Sequence, residues 1–408
     1  MPALQKEKPL KTPEQQTMYR ILYIIALVHL LNDTIQSLVP AMFPVLEQSM
    51  GLSFTQLGLI AFALNFTSSL IQPVVGLYTD KRPSPYALPI GLCFTFIGIL
   101  GLAFAPSFWF VIVSVAFIGL GSATFHPEGS RVANMAAGER RGFAQGVYQV
   151  GGNSGQALAP LITALVLVPL GQFGAIWFTI VAAIAIALLF YIARWYSEQV
   201  QLRAKIKATK KIVKRTGVHK KNLYIAIVLL IFFVFARSWF QSGITNFYAF
   251  FIIEKYGLSI EQAQVYLFIF LATGAIGTFA GGPLADRFGK KIIIMLSMLL
   301  STPLTLLLPY VGKVAAYPLV ALIGFIVLSS FSVTVVYAQD LFPGKIGTVS
   351  GLIVGLAFGM GAIGSIALGK MADTYGLMNT MLFTAFLPLL GLVSIFLPSD
   401  GWIAKHNK

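Results

Sequence analysis

The sequence predicts an all-α membrane protein with twelve transmembrane helices in two pseudo-symmetric six-helix bundles. Three observations carry this. Of 408 residues, 57% are hydrophobic and only 11% are charged, against roughly 25% charged in a soluble globular protein. The chain divides into apolar runs of about 20 residues, each enough to cross a bilayer. Finally, Gly282-Pro-Leu-Ala-Asp286-Arg287-Phe-Gly289-Lys290-Lys291, set between two apolar runs, has a paler copy at Gly76-Leu-Tyr-Thr-Asp80-Lys81-Arg82, 206 positions earlier (282 − 76). Gly142 and Gly146 open one run, and Gly347 and Gly351 open another, 205 positions later (347 − 142). A repeat this long is no solenoid period. It indicates a duplicated half, with two related bundles around a central pathway.

In chain order, the runs are 21–46, 54–78, 86–105, 108–136, 142–169, 173–196, 222–247, 262–285, 290–311, 315–338, 347–369 and 378–398. Short links carry turn residues, among them Pro83-Ser-Pro85, Ala105-Pro106 and Phe342-Pro-Gly344. Residues 1–196 form one bundle and 222–408 the other, with a basic linker at 197–221. Glycine and proline recur within the runs: Gly151, Gly152, Gly155 and Pro160 in the fifth, and Gly355, Gly359, Gly361 and Gly364 in the eleventh. Small residues at such spacing let helices approach closely in lipid.

The net charge of +15 would point to nucleic acid in a soluble protein. Here the basic residues sit in short loops, where they set membrane orientation. With both termini cytoplasmic, Lys81, Arg82, Arg140, Arg141, Arg287, Lys290, Lys291 and Lys345 fall inside. The Ser197–Lys221 linker, with nine Lys or Arg, falls inside too. The outer loops hold only Lys255, Lys313 and Lys370. The first 20 residues lack the apolar core of a cleavable leader, so the first helix is expected to act as its own insertion element. The single cysteine, Cys93, is expected to be a small buried hydrophobe.

Ionisable groups at membrane depth cost several kcal/mol unless paired or hydrated, so each is a functional candidate. His29, Asp33 and Gln36 follow i, i+4, i+7 spacing on one face of the first helix, beside Asn32. Asp33 lies ~20 Å along the helix from Arg20, near the bilayer midplane. The fourth run carries His126-Pro127-Glu128 and Arg131, with His126 ~18 Å from its inner end. Arg131 is either a substrate anchor or the partner of Glu128 at i, i+3. Gln145, Gln149 and Asn153 form an uncharged stripe on the fifth run. Arg237, ~24 Å along the seventh, is the deep cation of the second half. It stands near the repeat counterpart of Asp33 (237 − 206 = 31), and the two are expected to offset each other's burial across the pathway. Tyr337, Gln339 and Asp340 lie near the inner end of the tenth run, where Asp340 reads as an interfacial charge. In the motif loops, Asp80 and Asp286 are placed to accept from a helix N-terminus and to pair with Arg82, Arg287 or Lys290, locking the inner side in one state.

Twelve spans with a Gly-x-x-x-Asp-Arg-x-Gly-Lys-Lys loop after the eighth and a degenerate copy after the second resemble the major facilitator superfamily. More narrowly, His29-Leu-Leu-Asn-Asp33, Gln72-Pro-Val-Val-Gly76, Phe125-His-Pro-Glu128, Gln149-Val-Gly-Gly-Asn153, Tyr337-Ala-Gln339 and Phe358-Gly-Met-Gly361 resemble the bacterial fosmidomycin-resistance efflux proteins. The resemblance covers nearly the whole chain. It implies a proton-driven exporter of the cytoplasmic membrane that moves the phosphonate fosmidomycin. The chain departs from wider drug exporters at Phe117-Ile-Gly-Leu-Gly121, which lacks their helix-4 arginine, and at Gly155 and Pro160, which are not adjacent.

The expected activity is therefore proton-coupled efflux of an anionic or amphiphilic drug, with uptake symport of an organic anion or sugar as the alternative. Candidate proton carriers are Asp33, Glu128 and His126. Candidate substrate contacts are His29, Asn32, Gln36, Arg131, Gln145, Gln149, Asn153, Arg237 and Tyr337. The gating set is Gly76, Asp80, Arg82, Gly282, Asp286, Arg287, Gly289 and Lys290. No metal, no cofactor other than the proton gradient and no nucleic acid are expected. The partners are drug, protons and bilayer, and the chain is expected to be a monomer. An intramembrane enzyme would need a nucleophile–base pair or a metal cluster at depth, and the spacings provide neither.

Overall fold

A computed structural model describes residues 16–138, 140–206, 220–342 and 346–406. Among them, all regular structure is helical. The first predicted run breaks into α1 (Tyr19–Ala41) and α2 (Phe43–Met50), because Pro44 starts the second helix at a position where its missing N–H costs nothing. Then come α3 (Phe54–Lys81), α4 (Ala87–Ala103), α5 (Phe108–Ala136) and α6 (Arg141–Ile162). The fifth run continues past α6 through one π turn, Thr163–Leu167, to the three-residue α7 (Val168–Leu170). After α8 (Trp177–Ile206), the second half begins with α9 (Lys220–Tyr256) and α10 (Ile260–Phe288). α11 (Lys290–Leu299) and α12 (Ser301–Leu307) share the ninth run, followed by α13 (Lys313–Leu341). α14 (Ile346–Leu390) holds the eleventh run and most of the twelfth, which continues through a 3-10 helix, Gly391–Phe396. Gly376, at φ 81° and ψ 164°, interrupts α14 between the two runs. A short amphipathic α15 (Asp400–His406) follows.

Among the described residues, ten helices are long and apolar enough to cross a membrane, and Ala87–Ala103 is a shorter apolar helix. Leu165, Trp109, Val314 and Phe396 are among many large apolar side chains left exposed, as expected where lipid replaces water. Cys93 corrects an expectation: it is exposed on α4 rather than buried.

The repeat is visible in local structure. Gly51 (φ 63°) and Gly257 (φ 62°) each end a helix in the left-handed region, 206 positions apart (257 − 51). Two residues later, Ser53 caps α3 and Ser259 caps α10, each in a reciprocal box with a glutamine, Gln56 or Gln262.

Within the first half, α1 packs on α6 and α5, α3 on α5, and α4 on α5 and α8. Within the second, α10 packs on α13 and α9 on α14. Glycines set the spacing: a Cβ on Gly151 would lie 2.2 Å from the Ala26 carbonyl oxygen, and one on Gly155 2.2 Å from that of Leu30. The halves meet through α3 against α14 and α6 against α10.

Candidate functional site

The polar residues of α1 converge on α5 and α6 and are almost fully shielded. His29 (4% exposed), Asn32 (1%) and Asp33 (3%) are all buried. Asp33 is the hub. Its Oδ2 lies 3.5 Å from His29 Nε2 and accepts from Gln156 Nε2 at 3.0 Å. Its Oδ1 accepts from Asn32 Nδ2 at 3.0 Å and lies 3.7 Å from His126 Nε2. The α1 face and the α5 histidine therefore form one cluster. Gln36, a turn further along, accepts from Ser122 Oγ of α5 at 2.6 Å.

The protonation of this cluster is constrained by one contact. His29 Nδ1 lies 2.7 Å from the Tyr148 carbonyl oxygen. A carbonyl only accepts, so Nδ1 carries the hydrogen. In a neutral ring Nε2 would then present a lone pair toward the Asp33 carboxylate. The carboxylate therefore draws its donors from Gln156 and Asn32 rather than from this ring. Tyr148 also stacks on the imidazole with ring centroids 4.0 Å apart, holding its plane. Gly152 supplies the clearance: a Cβ there would meet His29 Nε2 at 2.5 Å and Asp33 Oδ2 at 3.0 Å. Nε2 of His29, a carboxylate oxygen of Asp33 and a ring nitrogen of His126 lie within 4.8 Å of one another, close enough for a metal ion to share. The hydrogen bonds from Gln156 and Asn32 to Asp33 and the His29–Tyr148 contact account for the same geometry. The sequence spacings had not brought these three residues together as a ligand set.

Glu128 belongs to a different site. It is fully buried and accepts from the Tyr196 hydroxyl at 2.9 Å, with Arg131 Nε 3.3 Å from its other oxygen. Arg131 reaches on to the Thr79 carbonyl of α3 at 2.7 Å. The partnership with Glu128, one of the two readings of Arg131, is present in the structure. His126 and Glu128 are two residues apart on α5, about 200° around a helix, so they cannot share a face.

Arg237 corrects the expectation of an Asp33 partner. Its side chain is 2% exposed, stacked 4.8 Å from the Phe331 ring of α13 and 5.9 Å from the Phe233 ring. Among the described residues, its Nε and one terminal nitrogen have no hydrogen-bond partner. The reason lies in the repeat arithmetic: Arg237 corresponds to Leu31, which points about 200° away from Asp33 on the same helix. A neutral network lies further along α9: Asn246 Nδ2 donates to Ser242 Oγ at 3.0 Å and to Ser365 Oγ of α14 at 2.9 Å.

The remaining candidates separate. Gln145 donates to the Ser130 carbonyl at 3.1 Å. Gln149 and Asn153 are half-buried on α6. Tyr337 is fully buried and donates to the Pro398 carbonyl at 2.7 Å, so it is tied within the second half and not brought to the cluster. In the motif loop, Lys290 pairs with Asp340 at 2.9 Å. The α11 N-terminus is met by Asp400, which accepts from Lys291 N at 3.4 Å, while Asp286 and Arg287 are exposed. Gly289 ends α10 at φ 98°. Gly76 and Gly282 lie in the last turns of α3 and α10, and Arg82 is exposed just beyond α3. The Asp80 side chain and linker residues 207–219 lie outside the described residues.

Sequence reasoning missed Tyr148, Gly152, Gln156 and Tyr196. Gln156 was within reach: it continues the Gln149, Asn153 stripe by three residues, one helical turn. The Tyr148 contribution is a backbone carbonyl, for which no side-chain pattern exists.

The sequence model of the Major Facilitator Superfamily matches residues 24–365. An uncharacterized MFS-type transporter of Bacillus subtilis (strain 168), YfnC, is 61% identical over 97% of this chain and 96% of its own. The fosmidomycin resistance protein of Escherichia coli (strain K12) is 45% identical over 95% of each chain. Among solved structures, a bacterial homolog of the human lysosomal transporter Spinster superposes with a TM-score of 0.74 at 16% identity, covering 97% of this chain and 98% of that one. This multi-pass membrane protein, a transporter and not an enzyme, belongs to the Major Facilitator Superfamily.

Proposed function

We propose that the protein exports fosmidomycin or a related anionic, amphiphilic drug across the bacterial cytoplasmic membrane in exchange for protons, by alternating access. In this reading twelve spans form two six-helix bundles, residues 1–196 and 222–408, joined by the basic linker 197–221, with both termini cytoplasmic and the chain acting as a monomer. The observation that carries it is the 45% identity to a fosmidomycin resistance protein over nearly the full length of both chains.

The chemistry divides between the halves. Asp33, with His29 and His126, supplies the proton site. The carboxylate and imidazole that take up the proton are held in place by hydrogen bonds to groups that do not themselves titrate, Gln156, Asn32 and the Tyr148 carbonyl. Arg237 supplies the anion site: a buried guanidinium with two unmatched nitrogens gains most from a ligand with several acceptor oxygens, such as a phosphonate. Gln149 and Asn153 supply neutral hydrogen bonds to the rest of the substrate. Coupling follows from charge balance. When the pathway is open to the more acidic side, Asp33 and its histidines take up protons. Drug bound near Arg237 leaves on that side, and the protons leave on the other.

Drug susceptibility of a sensitive bacterial host, with and without the gene, tests this reading. Raised resistance to fosmidomycin is expected. Unchanged susceptibility overturns the drug assignment, and sensitisation reverses the direction to proton-coupled uptake of an organic anion. In inverted vesicles, collapse of the pH gradient should stop drug accumulation.

A further inference from the structure

The Gly-x-x-x-Asp-x-x-Gly pattern of the inner loop at Gly282–Gly289 occurs again at Gly369-Lys-Met-Ala-Asp373-Thr-Tyr-Gly376, at the opposite end of the molecule. The final glycines match in conformation as well as in sequence. Gly289 has φ 98° and ψ 144°, and Gly376 has φ 81° and ψ 164°, so each stops a helix with the same backbone turn.

In the Gly369–Gly376 copy the carboxylate crosses between the halves. Asp373 Oδ1 accepts from Phe54 N at 2.9 Å, and Oδ2 accepts from Thr55 N at 2.7 Å and from the Thr55 hydroxyl. These are the first N–H groups of α3, which have no partner inside their own helix. A carboxylate there satisfies two of them and sits at the positive end of the helix dipole. The backbones close around it without side chains between them. A Cβ on Gly369 would lie 2.3 Å from the Phe54 carbonyl oxygen, and one on Gly58 2.3 Å from that of Ser365. At the same end, Gln264 Nε2 of α10 donates to the Ala41 carbonyl of α1 at 2.9 Å. The repeat counterpart of this helix start, at Ile260 and Glu261 of α10, has the same serine cap but, among the described residues, no carboxylate from the other half. The contact is therefore a feature of one seam, α3 against α14, and not a by-product of the duplication.

We propose that Asp373 is the latch that holds the outer end of the α3–α14 seam shut, and that it must release Phe54 and Thr55 whenever the pathway opens outward. This rests on alternating access but not on the identity of the drug. The test is carried out with full-length protein in liposomes on a Cys93→Ala background. Spin labels are placed at Ser49→Cys and Tyr375→Cys, exposed positions on opposite halves at this end. Asp373→Ala should move a large share of the distance distribution to longer values than the parent. Asp373→Asn should move a smaller share, because its carboxamide oxygen still accepts. A distribution in Asp373→Ala identical to the parent overturns the latch. Because this readout needs no substrate, it decides the matter even if fosmidomycin is not transported. A second arm joins Thr55→Cys to Asp373→Cys by oxidation, which should abolish fosmidomycin transport and restore it on reduction. Undiminished transport in the cross-linked protein also overturns the proposal.

Discussion

Helices α1 and α9 open the two halves of a duplicated chain, yet they bury opposite chemistry. α1 carries Asp33, whose carboxylate is met by His29, His126, Asn32 and Gln156. α9 carries Arg237, whose guanidinium is met by two aromatic faces and leaves two nitrogens unmatched. Leaving a buried polar group unpaired costs about 1–3 kcal/mol, more when it is charged. The first cluster is nearly self-sufficient and needs only a proton. The second leaves two guanidinium nitrogens without a partner among the described residues. In the proposed function, the two copies of one scaffold take opposite parts in a single charge balance.

The largest expected effect comes from breaking the α1 cluster. Asp33→Asn keeps the shape but cannot exchange a proton with His29. Gradient-driven transport in vesicles should fall at least 100-fold while drug binding persists. Full gradient-driven transport in this variant would remove Asp33 from the coupling mechanism. Next, Arg237→Ala should weaken binding of an anionic drug by roughly 10–100-fold, on the order of 1.4–2.7 kcal/mol. Arg237→Lys should recover only part of this, because an ammonium cannot fork to two acceptors. Isothermal titration on purified protein reads both, and equal affinity for a neutral analogue in the parent and the alanine variant sharpens the result. A smaller effect is expected of Gly152→Ala. The added methyl must displace an imidazole already clamped by the Tyr148 ring and carbonyl, so the pH dependence of transport should shift with little change in drug affinity. An unchanged pH profile would mean that the His29–Asp33 spacing is not critical.

The smallest effect tests the other buried carboxylate. Tyr196→Phe removes one hydrogen bond to Glu128 and should cost about 0.5–1.5 kcal/mol of stability, read as a small drop in the thermal midpoint. Glu128→Gln should lower stability further, by loosening Arg131 from α5. Its loss of gradient-driven transport should be smaller than that of Asp33→Asn. If Glu128→Gln instead matches Asp33→Asn, the ion pair with Arg131 is part of the proton path and not a clasp between α3, α5 and α8.

Much of the fold was legible because a bilayer leaves few choices. Runs of apolar residues bounded by Gly, Pro and charge marked the helices, and the breaks fell where chain chemistry imposed them, at Pro44 and Gly376. The site was legible by depth but not by facing. His29, Asp33 and Gln36 share a face by simple spacing, and all three are buried together. The union of Asp33 with His126 depends on the rotation of α1 relative to α5, which no local pattern encodes. The pairing of Asp33 with Arg237 treated closeness in register as closeness in space. Two residues along a helix are about 200° apart.

The Asp373 contact also bears on how quickly such a seam can part. Its donors and acceptor lie at the exposed rim, so water can take each place as it is vacated. Carboxylate-to-amide hydrogen bonds at such a rim can pass to water one at a time, whereas separating Arg131 from the fully buried Glu128 would leave that carboxylate bare. The α3–α14 seam thus joins close backbone packing, which is lost all at once, to a hydrogen-bonded edge that can be undone one bond at a time. Opening can then begin at the wet edge and travel inward, with the serine cap of α3 left intact to keep the helix from fraying behind it.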